Sequence, residues 1–305
     1  MTLPSSGAIS LGQVNVELGL ATDEAITLGS SAVRDLFEKP TGAIALSDGY
    51  GKSNSFAFSI ASNQTNANLR TLAISAGWDQ ERKVVATVNA GVFISSTSSS
   101  TSALTVNGAF PNGVALVNNG HLVGRGGNGG IGGRYTVSGV TGNISLAASG
   151  QGSKGAPALT VTVPLTVENN GTIAGGGGGA SGGGSGYKGQ SPSDWTNAGS
   201  GGGGGGGRSG TNNSTGGTGD KGATDGGAGT VSNAGPGGAG YISGGKGGDG
   251  GDWGAPGEGG ALASLPAGLW NHYGSVGNPG AGGEAVIGNA NITWVNTGTR
   301  YGAIT

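Results

Sequence analysis

The chain has 305 residues, of which 74 are glycine and 10% are charged, and its formal net charge is −2. Because only 34% of the residues are hydrophobic and 5% aromatic, any apolar core must be thin. The near-neutral charge argues against nucleic acid or an anionic membrane as a partner, and the lack of cysteine excludes disulfides and thiolate metal sites.

The first residues, Met1-Thr-Leu-Pro-Ser-Ser6, contain neither a basic segment nor an apolar one, and no run of 18 apolar residues follows. We therefore expect no signal peptide and no membrane insertion. The protein is expected to be made in a cytoplasm and to leave it by lysis or as part of a particle.

Residues 1–53 contain one short pattern three times, each time followed by a helix or turn signal. The second copy precedes a predicted helix over residues 32–39, and the third precedes a turn that ends at Tyr50. Because this segment is too small to be stable alone, we expect it to dock onto a larger partner. The three copies are Ala8-Ile-Ser-Leu11, Ala25-Ile-Thr-Leu28 and Ala43-Ile-Ala-Leu46.

The first of these copies predicts a helix with recognisable ends. Ser10 has the side chain of an N-cap, and Gly19 can end the helix in a left-handed conformation. Between them, Leu11, Val14 and Leu18 are predicted to be buried. In the second helix Val33, Leu36 and Phe37 are predicted to share one side.

From residue 54 to 174 the apolar residues alternate with polar ones, which is the pattern of half-buried strands. Polar breaks such as 95–102 separate these stretches, so we predict an antiparallel β-domain over 54–174. The clearest alternating sets are Phe56, Phe58 and Ile60, then Leu72, Ile74 and Ala76, then Val84, Ala86 and Val88.

Two segments within and just after this region resemble each other. Leu116–Gly124 aligns with Val167–Gly175, and each contains Asn-Asn-Gly followed by glycine-rich sequence. Asn-Gly predicts a positive-φ hairpin turn, so two hairpins are predicted to lead into the glycine-rich part. Strand patterns resume in 284–305, which we expect to close on the same β-base.

Residues 175–283 are the most unusual part of the chain, since 46 of these 109 residues are glycine. Gly-Gly-x triplets, as in 244–252, fit a helix with three residues per turn whose two bare faces let neighbouring chains pair closely. Collagen is excluded because the chain has only 10 prolines. A flexible linker is the alternative, but linkers lack aromatic residues such as Trp195 and Trp253. The predicted fold is therefore mostly β, with a sandwich of polyglycine II helices and little α-helix.

The sequence offers no strong catalytic or metal-binding pattern. The histidines His121 and His272 lie far apart, and Gly51-Lys52-Ser53 lacks the earlier glycine of a phosphate-binding loop. Carboxylates in the glycine-rich block occupy x positions or turns, where solvated charges are ordinary. We expect no catalytic residue, no metal and no cofactor, and therefore no enzyme.

Polar and aromatic residues interrupt the glycine triplets at several places. Rigid aromatic side chains among adaptable Ser, Asn and Gly are typical of recognition loops. The alternative is that aromatic residues plug the turns of a scaffold that has few side chains, and each role can apply to different residues. The candidate recognition residues are Tyr187, Trp195, Arg208, Tyr241, Trp253, Trp270, His272 and Tyr273.

Several motifs together resemble tailed-bacteriophage tail-fibre and tail-tip receptor-binding adhesins. They are the opening through Gly51-Lys52-Ser53, the Asn-Asn-Gly segments, the Gly-Gly-x core, and the ending Asn291–Gly302. The resemblance implies a virion protein attached to other tail or fibre proteins through residues 1–53. It also implies that residues 175–283 bind a bacterial outer-membrane protein or a surface glycan.

The resemblance leaves the assembly and some other functions open. The chain could form a homotrimer or sit as one copy on a trimeric fibre. Alternatives are a tail structural protein without receptor contact, an ice-binding protein and a glycan depolymerase. Ice binding predicts regular threonine ladders, whereas threonine is sparse at the x positions here.

Overall fold

The computed structural model describes residues 3–138, 143–189, 198–266 and 270–305, and it is mostly β with few helices. Within those residues no helix is both long enough and apolar enough to cross a membrane. The helices are α1 Leu11–Glu17, α2 Ser31–Leu36 and α3 Leu69–Ser75, with 3-10 turns at Leu46–Gly49 and Asn289–Asn291.

The described strands are numbered in chain order. They are β1 Ser55–Ile60, β2 Gln64–Thr65, β3 Ala67–Asn68, β4 Lys83–Val88, β5 Phe93–Ser95, β6 Leu104–Val106, β7 Val114–Asn118, β8 His121–Val123, β9 Arg134–Ser138, β10 Asn143–Ala147, β11 Leu159–Val161, β12 Leu165–Asn169, β13 Thr172–Ala174, β14 Gly186–Gly189, β15 Ala198–Gly199, β16 Trp270–Tyr273, β17 Val286–Ile287, β18 Ile292–Asn296 and β19 Thr299–Tyr301.

Helix α1 has the predicted ends. The Ser10 hydroxyl accepts the Gln13 N–H at 3.2 Å, the Gln13 side chain accepts the Ser10 N–H at 2.8 Å, and Gly19 has φ +79°. Val14 is fully buried, but Leu11 is 41% exposed, so the prediction of its burial was wrong. Leu3, which lies outside the helix, helps to complete this small core instead.

Helix α2 ends earlier than predicted, at Leu36. Its predicted apolar side is confirmed, because Val33, Leu36 and Phe37 are all buried in the same cluster as Val14. Residues 3–53 therefore have a core of their own, separate from the larger core of the strands that follow.

The strands after residue 54 form a parallel β-solenoid with three faces. Sheet A has the order β1-β4-β7-β12-β18, sheet B β19-β13-β8-β5-β2 and sheet C β17-β11-β6-β3, and the pairings in all three are parallel. Each turn of the chain adds one strand to each sheet, so alternate side chains point into a shared core. In β4, for example, Val84, Ala86 and Val88 are fully buried.

The predicted antiparallel β-domain was therefore wrong for the strands of the solenoid, although β9 and β10 in the first glycine-rich excursion do pair antiparallel. Alternating apolar residues describe one buried face, and that face looks the same in an antiparallel sheet and in a solenoid strand. A second error concerns Leu72, Ile74 and Ala76, which belong to α3 or its C-terminal end rather than to a strand.

The two Asn-Asn-Gly segments are corners of the solenoid rather than hairpin turns, so this prediction was also wrong. Gly120 and Gly171 do not have positive φ. Each is glycine because the preceding turn of the solenoid lies too close for a Cβ, which at Gly171 would lie 2.0 Å from the Gly120 oxygen. The Asn118 amide donates to Asn169 Oδ1 at 2.7 Å and links successive corners.

The glycine-rich sequence leaves the solenoid twice, after β8 and after β13, and returns to it at β11 and β17. We call the packed runs of these two excursions the glycine lattice. Its runs are 124–133, 148–157, 175–185, 200–209, 214–219, 223–230, 234–240, 244–251, 255–261 and 274–284.

Backbone hydrogen bonds in the lattice repeat every three residues. The amides of Gly127, Gly130 and Gly133 donate to the oxygens of Gly177, Ala180 and Gly183, each at 2.8 Å. This series continues the pairing of β8 with β13, since the Gly124 amide donates to the Ala174 oxygen at 2.8 Å. The lattice therefore grows directly out of sheet B of the solenoid.

Glycine is required in these runs because the backbones approach closely. An ideal Cβ on Gly127 would lie 1.8 Å from the Ser153 oxygen, and one on Gly203 would lie 1.8 Å from the Gly217 oxygen. Neither distance leaves room for a methyl group.

Candidate binding surface

The lattice has two ends with different surroundings. We call the end beside the solenoid the base, which contains the turns 210–213, 231–233 and 252–254. The Thr211 amide donates to Ser95 Oγ at 3.1 Å, and the Asn212 side chain donates to the Ser96 oxygen at 3.3 Å. Hydrogen bonds to β5 and the residue after it therefore occupy part of the base.

We call the opposite end of the lattice the apex. The lattice runs that start at the solenoid reach it through ten or eleven consecutive residues, as in 124–133 and 175–185. Its described parts are 134–138, 143–147, 186–189, 198–199, 220–222, 241–243, 262–266 and 270–273.

Two of the candidate recognition residues, Arg208 and Trp253, lie together at the base. The Arg208 guanidinium lies 3.7 Å from the Trp253 ring centroid, and its Nε donates to the Val231 oxygen at 2.9 Å. The Trp253 indole N–H donates to the Ser209 oxygen at 3.2 Å, and its ring lies 6.0 Å from that of Tyr301. Arg208 therefore links two base turns to each other, and Trp253 also contacts β19 in the last turn of the solenoid.

Asp252 completes this cluster through a 2.8 Å ion pair with Arg208 Nη1. Burial acts to raise the pKa of Asp252. The hydrogen bonds from Arg208 and from the Trp253 amide outweigh it and hold the pKa below its ordinary value. The pairing keeps the Arg208 side chain over the indole ring.

Other candidates lie at the apex, on three short antiparallel strands. In β14 and β16, Tyr187 is opposite His272, Gly186 is opposite Tyr273, and Gly189 is opposite Trp270. Tyr187 is buried and its ring stacks on His272 with 6.4 Å between centroids. Tyr273 is 50% exposed.

Tyr241 also lies at the apex, on the turn 241–243, and is 45% exposed. Its ring packs on the neighbouring turn 220–222, since an ideal Cβ on Gly222 would lie 3.0 Å from it. Trp195 lies outside the described residues. Of Trp270 the structure shows only its place in β16.

Further apex residues were not singled out by the sequence. Lys221 Nζ donates to the Tyr135 oxygen at 2.7 Å and lies 4.2 Å from the ring of that tyrosine. Ile242 and Leu262 are 57% and 60% exposed. Lys221, Ile242 and Leu262 all interrupt glycine triplets, and that signal could have found them.

Histidines and carboxylates do not gather into a site in the described residues. His121 lies on β8, where its ring stacks on Phe93 at 4.4 Å and burial lowers its pKa. Asp220 pairs with Arg134 at 3.6 Å and Asp249 with Lys246 at 2.9 Å. Across 3–138, 143–189, 198–266 and 270–305 there is no group of three or more His, Cys, Asp or Glu that could hold a metal.

Comparison with known proteins gives a family and a fold. Residues 55–305 match the family model of the phage tail fibre adhesin Gp38. No curated protein sequence matches the chain.

The fold is similar to a solved structure described as the crystal structure of the gp37-gp38 adhesin tip complex of the bacteriophage S16 long tail fibre. The match has 23% identity and a TM-score of 0.50, and it covers 90% of this chain and 92% of that one. The family model matches residues 55–305, which is most of this chain. The chain therefore belongs to the Gp38 family of phage tail fibre adhesins.

Proposed function

We propose that this adhesin recognises a receptor on the surface of the host cell through the apex of the glycine lattice. Membership of the adhesin family supports a place on the virion tail and a binding role. The observation that carries the proposal is the placement of exposed side chains. Four large apolar or aromatic side chains at the apex are 45–60% exposed, namely those of Tyr241, Ile242, Leu262 and Tyr273.

We give the base a structural role instead, because its side chains contact the solenoid or one another. Arg208 lies over Trp253 and donates to the Val231 oxygen, and the Trp253 indole donates to the Ser209 oxygen. We therefore leave these two out of the proposed receptor surface and assign them the structural role. Tyr241, Trp270, His272 and Tyr273 remain as proposed receptor-binding positions, and the buried Tyr187 is proposed to support His272 through its stacked ring.

We also propose that the lattice is a sandwich of polyglycine II helices. The three-residue repeat of its hydrogen bonds and the lack of room for Cβ atoms between runs support this assignment. At ~3.1 Å per residue, the eleven steps from Gly175 to Gly186 would place the apex roughly 34 Å from the solenoid. Such a scaffold would hold the apex turns at a fixed distance from the rest of the virion.

Residues 1–53 are proposed to attach the chain to other tail-fibre proteins. This segment precedes the matched family region, which begins at residue 55, and has its own small core. Glu17 ties it to the residue that precedes β1, since its carboxylate accepts the Asn54 amide N–H at 2.9 Å. Leu11 and Tyr50 are each 41% exposed and available for a partner. The similar structure is described as a complex of two fibre proteins, which supports such an association.

A competition experiment tests receptor recognition. Host cells are incubated with purified full-length protein and then with the phage that carries it, and free phage are counted over time. We expect the protein to slow adsorption in a dose-dependent way, and heat-unfolded protein to have no effect. Unchanged adsorption at saturating protein would favour the alternative, a tail structural protein without direct receptor contact.

A further inference from the structure

The turn 241–243 at the apex holds an isoleucine in an unusual conformation. Ile242 has φ +53°, and its side chain is 57% exposed. A β-branched side chain crowds its own backbone in the left-handed region, which glycine adopts freely. Glycine is the commonest residue around it, with Gly240 and Gly244 flanking the turn. The chain therefore keeps isoleucine where glycine would be easier to accommodate.

The strained residues are confined to one end of the lattice. Among its described residues, the only non-glycine positions with positive φ are Lys221 and Ile242, both in apex turns. At the base, the turn 252–254 uses Gly254 at φ +68°. Strain of this kind persists where the surroundings enforce it, and it is concentrated at functional sites.

The two residues differ in what their side chains contact. The Lys221 side chain has a partner within the chain, whereas the Ile242 side chain belongs to neither apolar core. The Lys221 ammonium group bonds to the Tyr135 oxygen, so an internal contact accounts for that side chain. Ile242 belongs to neither of the two apolar clusters of the described residues. Folding therefore gives no reason for a large aliphatic side chain at this position.

Three neighbouring segments hold the turn in place. The Tyr241 amide donates to the Ser200 oxygen at 2.9 Å, the Ser264 amide donates to the Ser243 oxygen at 2.8 Å, and the Tyr241 ring packs on Gly222. A side chain presented on such a fixed turn loses little freedom on binding, which favours affinity.

From this placement we propose that Ile242 is a specificity-determining anchor that inserts into an apolar recess of a protein receptor. The inference rests on the proposed receptor recognition and adds a residue and a partner class to it. An isoleucine side chain has no hydrogen-bonding group and no aromatic face. The hydroxyl groups of a glycan would lose hydrogen bonds to water against it, whereas an apolar recess of a protein gains from burying it.

The test compares three variants of the full-length chain in binding to cells on which the phage forms plaques. Ile242→Gly removes the side chain and relieves the backbone, Ile242→Val keeps a shorter branched side chain, and Val295→Thr changes a 66% exposed aliphatic residue on the solenoid. We expect Ile242→Gly to melt no lower than the wild type and to bind about ten- to a hundredfold more weakly. Ile242→Val should keep most of the binding, and Val295→Thr all of it.

The outcomes separate this inference from the function on which it rests. If the wild type binds and Ile242→Gly binds equally well, the anchor is refuted while receptor recognition stands. If the wild type itself does not bind, receptor recognition fails first. Treating the cells with protease should abolish wild-type binding and periodate should spare it. Loss with periodate alone would overturn the protein receptor and indicate a glycan.

Discussion

The Arg208 guanidinium lies over the Trp253 indole at 3.7 Å, although Arg208 is near the end of one glycine run and Trp253 lies in the turn between two others. Asp252 pairs with the same guanidinium from the turn that carries the indole. Two side chains that the sequence marks as recognition residues thus fasten the lattice to itself at its base. Tyr273 at the apex, by contrast, is 50% exposed.

This contrast predicts opposite effects for two aromatic substitutions. Trp253→Ala should lower the free energy of unfolding by about 2 kcal/mol, because the stacked arginine and the indole hydrogen bond are lost. Below its melting temperature this variant should still adsorb normally. Tyr273→Ala should leave the melting temperature unchanged and weaken adsorption. Thermal denaturation and cell-binding assays check both, and a Trp253→Ala protein that is stable but fails to bind would contradict the assignment.

The ion pairs of the lattice predict a loss of stability in acid. The pKa of Asp252 is lowered by its hydrogen bonds despite burial, and that of Asp249 is lowered first by the Gly237 amide and then by Lys246. A folded-state pKa below the unfolded value means stability that is present above about pH 4 and lost as the pH falls through the folded pKa. Asp252→Asn should flatten this acid dependence, measured as the denaturation midpoint from pH 6 to 2. If the denaturation midpoint of Asp252→Asn falls with pH as steeply as that of the wild type, the Asp252–Arg208 pair does not contribute to the acid dependence.

The close packing of glycine runs predicts very different costs for two glycine substitutions. Gly203→Ala would place a methyl group 1.8 Å from the Gly217 oxygen, backbone that cannot move aside, and should cost about 3 kcal/mol or more. Gly259→Ala is the matched control, since its Cβ would meet no atom within 4 Å. That variant should be neutral or slightly stabilising, by up to about 1 kcal/mol. Chemical denaturation of both proteins tests this, and equal stabilities would rule out a close-packed lattice.

The corners of the solenoid predict a similar contrast for two asparagines. Asn118 and Asn169 are fully buried and joined at 2.7 Å, so Asn118→Ala leaves a buried amide without its partner and should cost about 1–3 kcal/mol. The adjacent Asn119 is exposed and accepts from the Asn170 amide at 3.1 Å. Asn119→Ala should change stability by less than about 0.5 kcal/mol. If both substitutions cost the same in urea denaturation, the buried bond is not what stabilises the corner.

The sequence predicted correctly those features that depend only on residues close together in the chain, such as a helix cap or the buried face of one strand. Ser10 and Gln13 cap α1 because their side chains reach each other's backbone within one turn. Alternation in β4 identified Val84, Ala86 and Val88 as one face, and all three are buried. Neither observation depends on what lies on the other side of the molecule.

Strand direction and the two ends of the lattice depend on contacts between distant parts of the chain. The same alternation suits a parallel and an antiparallel neighbour, so only the pairing of β1 with β4 and of β7 with β12 decided for a solenoid. Likewise Trp253 and Tyr241 interrupt the triplets in the same way. Trp253 lies at the base and Tyr241 at the apex because of the number of residues in each run and the neighbouring run with which it pairs.

The sequence by itself determined that bare backbone would be packed in runs and that side chains would be concentrated where those runs turn. Its composition and triplets carry that information, because glycine alone leaves room for backbones at such distances. Tertiary structure alone decided which turns lie beside the solenoid and which lie at the apex, and so which aromatic residues are exposed there. The reason is physical: each run makes its hydrogen bonds to other runs, and the position of any turn is set by all of them together.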